Sequence, residues 1–314
     1  MQMSVLSHLV NTLNWRIDDR MDAVVVYARR DGESYTPFGA TGEGYACVDD
    51  TARAAILALE LYEDTSDDEA LSQALRWMEF VAHMTNSSGK VANFMLDDTT
   101  INERGDTSYR GGQWWQARSL CALARAYRVT RDNRWLDLYW SVLRMTKPQE
   151  GRTIALVNLA KIDLLRASVS STLAPLSRSS YRMGETFGYH QLLCGVLMHR
   201  YQGVPLLFPK QSINEYIEPM VNDGFWSEYK SRSKDHLCAY NVSPIVQGLA
   251  AICEIEPSDR YLTLLRRSME WFYSDGLYDP TTGVCLDGLD SEDAGAESSI
   301  EAGLAQLAYA RVGS

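Results

Sequence analysis

The sequence predicts an all-α fold, an (α/α)6 toroid with minor β-strand in its rim loops, built as a single domain over residues 1–314. Three observations predict it. Helical periodicity dominates, with apolar residues recurring at three- and four-residue spacing. Two kinds of helix alternate. AILALELY, SLCALARAY, IVQGLAAICEI and AGLAQLAYA are rich in Ala, Gly and Leu nearly all round, whereas ALRWMEFVAHM, WLDLYWSVLRM and YLTLLRRSMEWF carry charge on one face. A helix apolar all round belongs inside and an amphipathic one at the surface. Finally, inner-to-outer connections are short (64–66, 130–131), while outer-to-inner connections are long (30–48, 86–111, 222–239, 275–295). About six helices of each kind, in repeats of roughly 40–60 residues, suit a closed double ring. An open superhelix would show more uniform repeats.

The elements follow in order. A weak helical pattern over 4–27 precedes the first long loop. Clear helices read 49–63, 67–85, 112–129, 132–146, 240–255, 258–274 and 296–311, most with Asp, Ser or Asn at the start. Weaker ones lie near 152–167, 171–181, 186–201 and 211–221. In a toroid the long loops gather on one rim, where the inner helices begin. Long ordered loops on one face are where function usually sits. Helix N-termini there favour carboxylates.

Composition narrows the function. Hydrophobic residues make up 46% and charged residues 23%, enough for a sizeable core, and the net charge of −11 opposes nucleic acid and anionic membrane as partners. The N-terminal stretch lacks a signal-peptide pattern, and no apolar run approaches the roughly 20 residues of a membrane span. The six cysteines are scattered, with no C-x-x-C pair and no D-x-D-x-D-G loop, so neither a metal nor another cofactor is expected. Reduced cysteines in a cytoplasmic core are the expectation.

The chemically useful residues fall in the long loops or just inside the next helix. The first loop brings Tyr45, Asp49, Asp50 and Arg53; the second brings Asn93, Asp106, Arg110, Trp114, Trp115 and Arg118. His190 follows in a third. Trp226, His236, Tyr240 and Asn241 lie in the fourth, and Asp287, Glu297 and Glu301 in the last. Aromatic faces stack on a pyranose, and carboxylates, Arg, Asn and His bond its hydroxyls. Glycosidic cleavage needs two carboxyl groups flanking the bond, one protonated and one ionised. Asp49 or Asp50, with Asp106 or Glu297, are the candidate acid and base. Tyr45, Arg53, Asn93, Arg110, Trp114, Trp115, His190, Trp226, Tyr240 and Asn241 are the candidate substrate contacts. Each has a plainer reading: Asp49 or Asp50 can be an N-cap, one of the paired tryptophans belongs to the core, and Asp67 and Asp68 are caps.

Three stretches, TGEGYACVDDTARAAILAL, GKVANFMLDD with GDTSYRGGQWWQARSLCALARAY, and GLYDPTTGVCLDGLDSEDAGAESSIEAGLAQL, resemble a group within the six-hairpin glycosidase superfamily. Its matching stretches run T-D-D-N-A-R-A, N-F-[ML] before G-R-x-x-W-A-L, and G-A-E-S-T. The resemblance implies a toroid, a glycan substrate and a glycosyltransferase as partner, and it points to Asp49, Asp50, Arg53, Asn93, Asp106 and Glu297. Thr51 departs from the usual Asn, and Gln113-Trp114-Trp115 interrupts the G-R-x-x-W run. V-D-D-T-A also resembles the D-x-D-D-T-A motif of class II terpene cyclases, but Cys47 replaces the first Asp and the chain is short for two barrels. The expectation is therefore a glycoside hydrolase acting on an oligosaccharide or polysaccharide. A polysaccharide lyase, a paired-histidine epimerase on His190 and His236, and a non-catalytic glycan-binding domain are the alternatives.

Overall fold

The structure is a computed structural model that describes residues 4–32, 34–148, 151–169, 190–224, 238–288 and 291–313. The predicted helix at 171–181 and Trp226 and His236 lie outside the described residues.

Six described helices form a closed inner ring: α2 (Val48–Thr65), α4 (Gln113–Thr130), α6 (Gly151–Arg166), α7 (His190–Gln202), α10 (Ala239–Ile255) and α12 (Ala296–Gly313). Each touches the next, and α12 packs back on α2. Small residues permit this closeness; a Cβ added to Gly248 of α10 would meet Leu192 of α7 at 2.6 Å. Outside them lie α3 (Asp68–His83) on α2, α5 (Asn133–Met145) on α4, α8 (Leu207–Ser212) on α7, α11 (Asp259–Glu270) on α10, and α1 (Ser4–His8) on α12. The apolar and amphipathic sequence classes thus fall in the inner and outer layers as the alternation requires.

The short inner-to-outer turns share one design. Ser66 and Arg131 adopt left-handed conformations (φ 58° and 60°), and their amides close the preceding helices on Tyr62 O and Tyr127 O. Asp67 and Asp132 then cap α3 and α5.

One predicted helix needs correction. The pattern over 4–27 is helical only to Leu13, because Asn14–Arg16 (β1) pairs antiparallel with Asp22–Val24 (β2) and the β-branched run at 24–26 favours extended chain. The helix expected near 211–221 is present: α8 runs on through one wider π-type turn at 213–217 into α9 (Glu218–Asn222), with Glu218 N–H on Ile213 O. Pro219, in the first turn of α9, lacks the N–H of an α-type bond across that wider turn.

The rim carries the strand. Tyr27–Asp31 (β3) lies between Ser34–Phe38 (β4) and Asp293–Gly295 (β10), tying the last loop to the first. Ala46–Cys47 (β5), Phe94–Met95 (β6) and Ile101–Asn102 (β7) form a second small sheet.

Candidate active site

The first turn of α2 shows what Asp49 and Asp50 do not do. Neither caps the helix. The N-cap is Cys47, whose sulfur accepts from Asp50 N, while Val48 N and Asp49 N donate to the carbonyl and side-chain oxygens of Asn93. Sheet pairing of β5 with β6 brings Asn93 there, and Thr107 O anchors its amide. Both aspartates are therefore free of capping and lie buried in the first helical turn, where the dipole favours them.

Arg53, one turn on and fully buried, gathers four carboxylates. Nη2 reaches Asp49 Oδ2 at 2.6 Å, Nη1 reaches Asp50 Oδ1 at 3.6 Å and also Glu297, and Nε reaches Glu301 at 3.2 Å. Arg118 of α4 adds a contact to the other oxygen of Asp49 at 3.3 Å. Four carboxylates against two guanidiniums leave negative charge in excess, and retained protons relieve it. Burial pushes Asp50 up to about 7 despite Arg53, with Glu297 and Asp49 adding to the rise. Burial also raises Glu301, again against Arg53. Glu297 is the more open of these groups, its side chain 32% exposed.

Two residues outside the candidate set join this cluster. Tyr27 stacks on Phe38 at 5.3 Å, packs on Cys47 and Phe94, and has its hydroxyl pushed up to about 12 by burial and then by Asp50 and Asp287. Asp287 accepts from Gly295 N and Ser298 Oγ, and burial raises it to about 6. The signal for Glu301 was present in the sequence, four residues after Glu297 on the same helix face. Tyr27 reaches the site only through its pairing with Gly295, far away in the chain.

The remaining candidates divide. Tyr45 is half-buried, edge-on to Trp15 at 5.2 Å. Trp114 is half-buried at the start of α4. Trp115 is instead wholly buried, its indole N–H on Val91 O, so it belongs to the core and offers a substrate no surface. Arg110 binds Glu103 and Met84 O and pins its own loop. Asp106 is exposed on the same loop, apart from the contacts of Arg53. Asn241 is buried and accepts from Cys238 N at the start of α10, with half-buried Tyr240 beside it. Of the departures from the motif, Thr51 Oγ1 accepts from Val24 N and Trp115 donates to Val91 O.

Below the cluster, an axial cavity of about 440 Å³ runs down the ring. Arg53, Arg118, His190 and Glu301 are at its upper end, and Asp49, Asp50 and Glu297 are not among its lining residues. Its far end is lined by Arg125, Arg128, Asp163, Arg166, Arg200 and Arg311, from the C-terminal parts of inner helices. The buried Arg53 network separates the rim acids from this lumen. Among the described residues no His, Cys, Asp and Glu group is arranged to hold a metal ion.

No family model matches the sequence, and no curated protein does. Solved structures do match in shape. Cellobiose 2-epimerase from Spirochaeta thermophila DSM 6192 superposes with TM-score 0.63 at 12% identity, over 98% of this chain and 94% of the epimerase. A D-mannose isomerase gives 0.62 at 11%, over 98% and 95%. An inactive variant of an α-1,6-mannanase of glycoside hydrolase family 76 from Salegentibacter sp., with two consecutive aspartates changed to asparagine and α-1,6-mannotriose bound, gives 0.56 at 10%, over 98% of each chain. The chain is an (α/α)6 toroid. No helix among the described residues of this toroid is long and apolar enough to cross a membrane.

Proposed function

We propose that this toroid is a carbohydrate-active enzyme, a glycoside hydrolase in which Asp50 is the general acid and Glu297 the general base. One observation carries the reading: Asp50 and Glu297 contact the same nitrogen of Arg53 while Asp50 holds its proton to about neutral pH. The contacting oxygens of the two groups are no further apart than the two contact lengths together, about 6 Å. Paired glycosidase carboxyls are separated by about 5 to 9.5 Å. Asp50 donates its proton to the glycosidic oxygen as the bond to the anomeric carbon breaks, and Glu297 takes a proton from the attacking water. Asp49 has both oxygens engaged by Arg53 and Arg118, so it holds the guanidiniums in place. The family 76 mannanase, inactive when two adjacent aspartates are changed, offers the same residue pattern. Tyr27 on Phe38, Tyr45 and Trp114 supply aromatic faces for pyranose rings. On the motif resemblance, a glycosyltransferase is the proposed protein partner; scattered cysteines that form no disulfide favour the cytoplasm.

An oligosaccharide digestion screen tests this. Asp50→Asn and Glu297→Gln are each expected to lower turnover about a thousandfold. Full turnover in both would sink the assignment. A second reading, sugar epimerisation, is favoured by the epimerase and isomerase neighbours and by His190 on the lumen. Incubating cellobiose or mannose in deuterated water separates the two. Deuterium entering at C2 without chain cleavage would replace hydrolysis by proton abstraction beside a carbonyl.

A further inference from the structure

The helix that carries Asp50 has an uncommon cap. Ser, Thr, Asp and Asn usually take the N-cap because their oxygens accept well from first-turn amides. Cys47 stands there instead, 4% exposed among Val26, Phe94 and Tyr27. Its sulfur accepts from Asp50 N at 3.4 Å, and its S–H donates back to Asp50 Oδ2 at 3.1 Å. The other first-turn amides do not depend on it, since Val48 N and Asp49 N both end on Asn93. Cys47 therefore serves one residue, from both sides. A thiol is a weak donor and a weak acceptor. A serine hydroxyl would cap better and bind the ionised carboxyl more strongly.

We propose that Cys47 is a positioning residue for Asp50: it fixes the carboxyl's direction through a contact too weak to draw the proton off it. The proton-donor role of Asp50 rests on the hydrolase reading, whereas the Cys47–Asp50 contact stands without it. The thiol keeps its own proton, because burial and then Asp50 and Asp49 push it well above the ordinary range. The only proton that moves is therefore the one on Asp50.

The test needs no substrate. The full chain is labelled with ¹³C at aspartate Cγ and titrated, with Asp50→Asn identifying the Asp50 signal. Wild type titrates near neutrality. Cys47→Ser, which preserves the cap, is expected to lower the midpoint by about one pH unit, a tenfold loss of proton affinity. Cys47→Ala removes the donor and leaves the midpoint at or above that of wild type. An unchanged midpoint in Cys47→Ser overturns the proposal, and so does a fall in Cys47→Ala. Should Cys47→Ser fail to fold, Cys47→Thr supplies the hydroxyl and is held to the same outcome. Should Asp50→Asn keep full turnover while these titrations behave as expected, the hydrolase reading fails and the Cys47 contact survives.

Discussion

Arg53 is the residue on which the rim depends. It is wholly buried, and its charge is balanced only because Asp49, Asp50, Glu297 and Glu301 surround it. Removing one partner of a buried ionic group leaves the others uncompensated, at a cost of about 3–5 kcal/mol. Arg53→Met is therefore expected to lose roughly that much stability in urea unfolding at pH 8. The loss should be smaller at pH 5, where protons replace the missing cation on the carboxyls that already bind them above their usual range. Equal losses at both pH values would contradict this account. Arg53 was readable in the sequence, three and four residues after the aspartates, as was Glu301 after Glu297. The cap was not. It depends on Asn93, some forty residues away, which only the pairing of β5 with β6 brings to the helix start. Local spacing therefore left one of the two aspartates open as a cap.

The inner helices of the ring are polar in a second sense. Acids occupy the first turns of α2 and α12 at the rim, whereas Arg128, Arg166, Arg200 and Arg311 lie in the last turns of inner helices around the lumen, with Arg125 just before the last turn of α4. Helix C-termini carry partial negative charge, which these cations offset. They also bind acids between neighbouring helices. Arg125 joins Glu60 of α2 to Asp163 of α6, and Arg128 and Arg166 meet the same Asp163. Arg125→Met leaves two buried carboxylates short of a partner, so a loss of about 3 kcal/mol is expected by urea unfolding. The connecting turns carry less. Asp67→Ala removes only the cap of α3, at about 1 kcal/mol, and a loss as large as that of Arg125→Met would show that the turn does more than cap. Helix class and order were legible because burial imposes its composition on every turn. The segment at 14–27 was misread because strand pairing with its own neighbour overrode a weak helical pattern. The helix near 211–221 was legible from its apolar spacing, but its widened turn at 213–217 was not.

Across the whole toroid, titrating groups of opposite behaviour share the weakly acid range. His8 of α1 lies edge-on to Tyr35, and burial lowers it from 6.5 to about 4. Its contribution is fully present above 6.5 and is lost as pH falls toward 4. Asp50 and Asp287 run the other way, raised from 3.8 to about 7 and about 6. They bind protons more tightly in the folded chain, so their contribution is full below 3.8 and is lost as pH rises through those values. Between about pH 4.5 and 6 the two trends oppose each other, but two raised aspartates outweigh one lowered histidine, so thermal stability is expected to fall as pH rises, less steeply than the aspartates alone would give. Glu60, lowered to about 2 although burial opposes this, because Arg125 and Arg311 face it, adds a loss as pH falls below 4.5. Acid unfolding should therefore set in below that point. Substitution separates the contributions. His8→Leu is expected to give a Tm that falls more steeply than that of wild type from pH 4.5 to 6, since the opposing histidine trend is gone. Asp50→Asn combined with Asp287→Asn is expected to abolish that fall, since the His8 trend is then opposed only by the raised Glu301. Scanning calorimetry of the three proteins across this range decides the matter, and parallel profiles would refute the opposition of the buried groups.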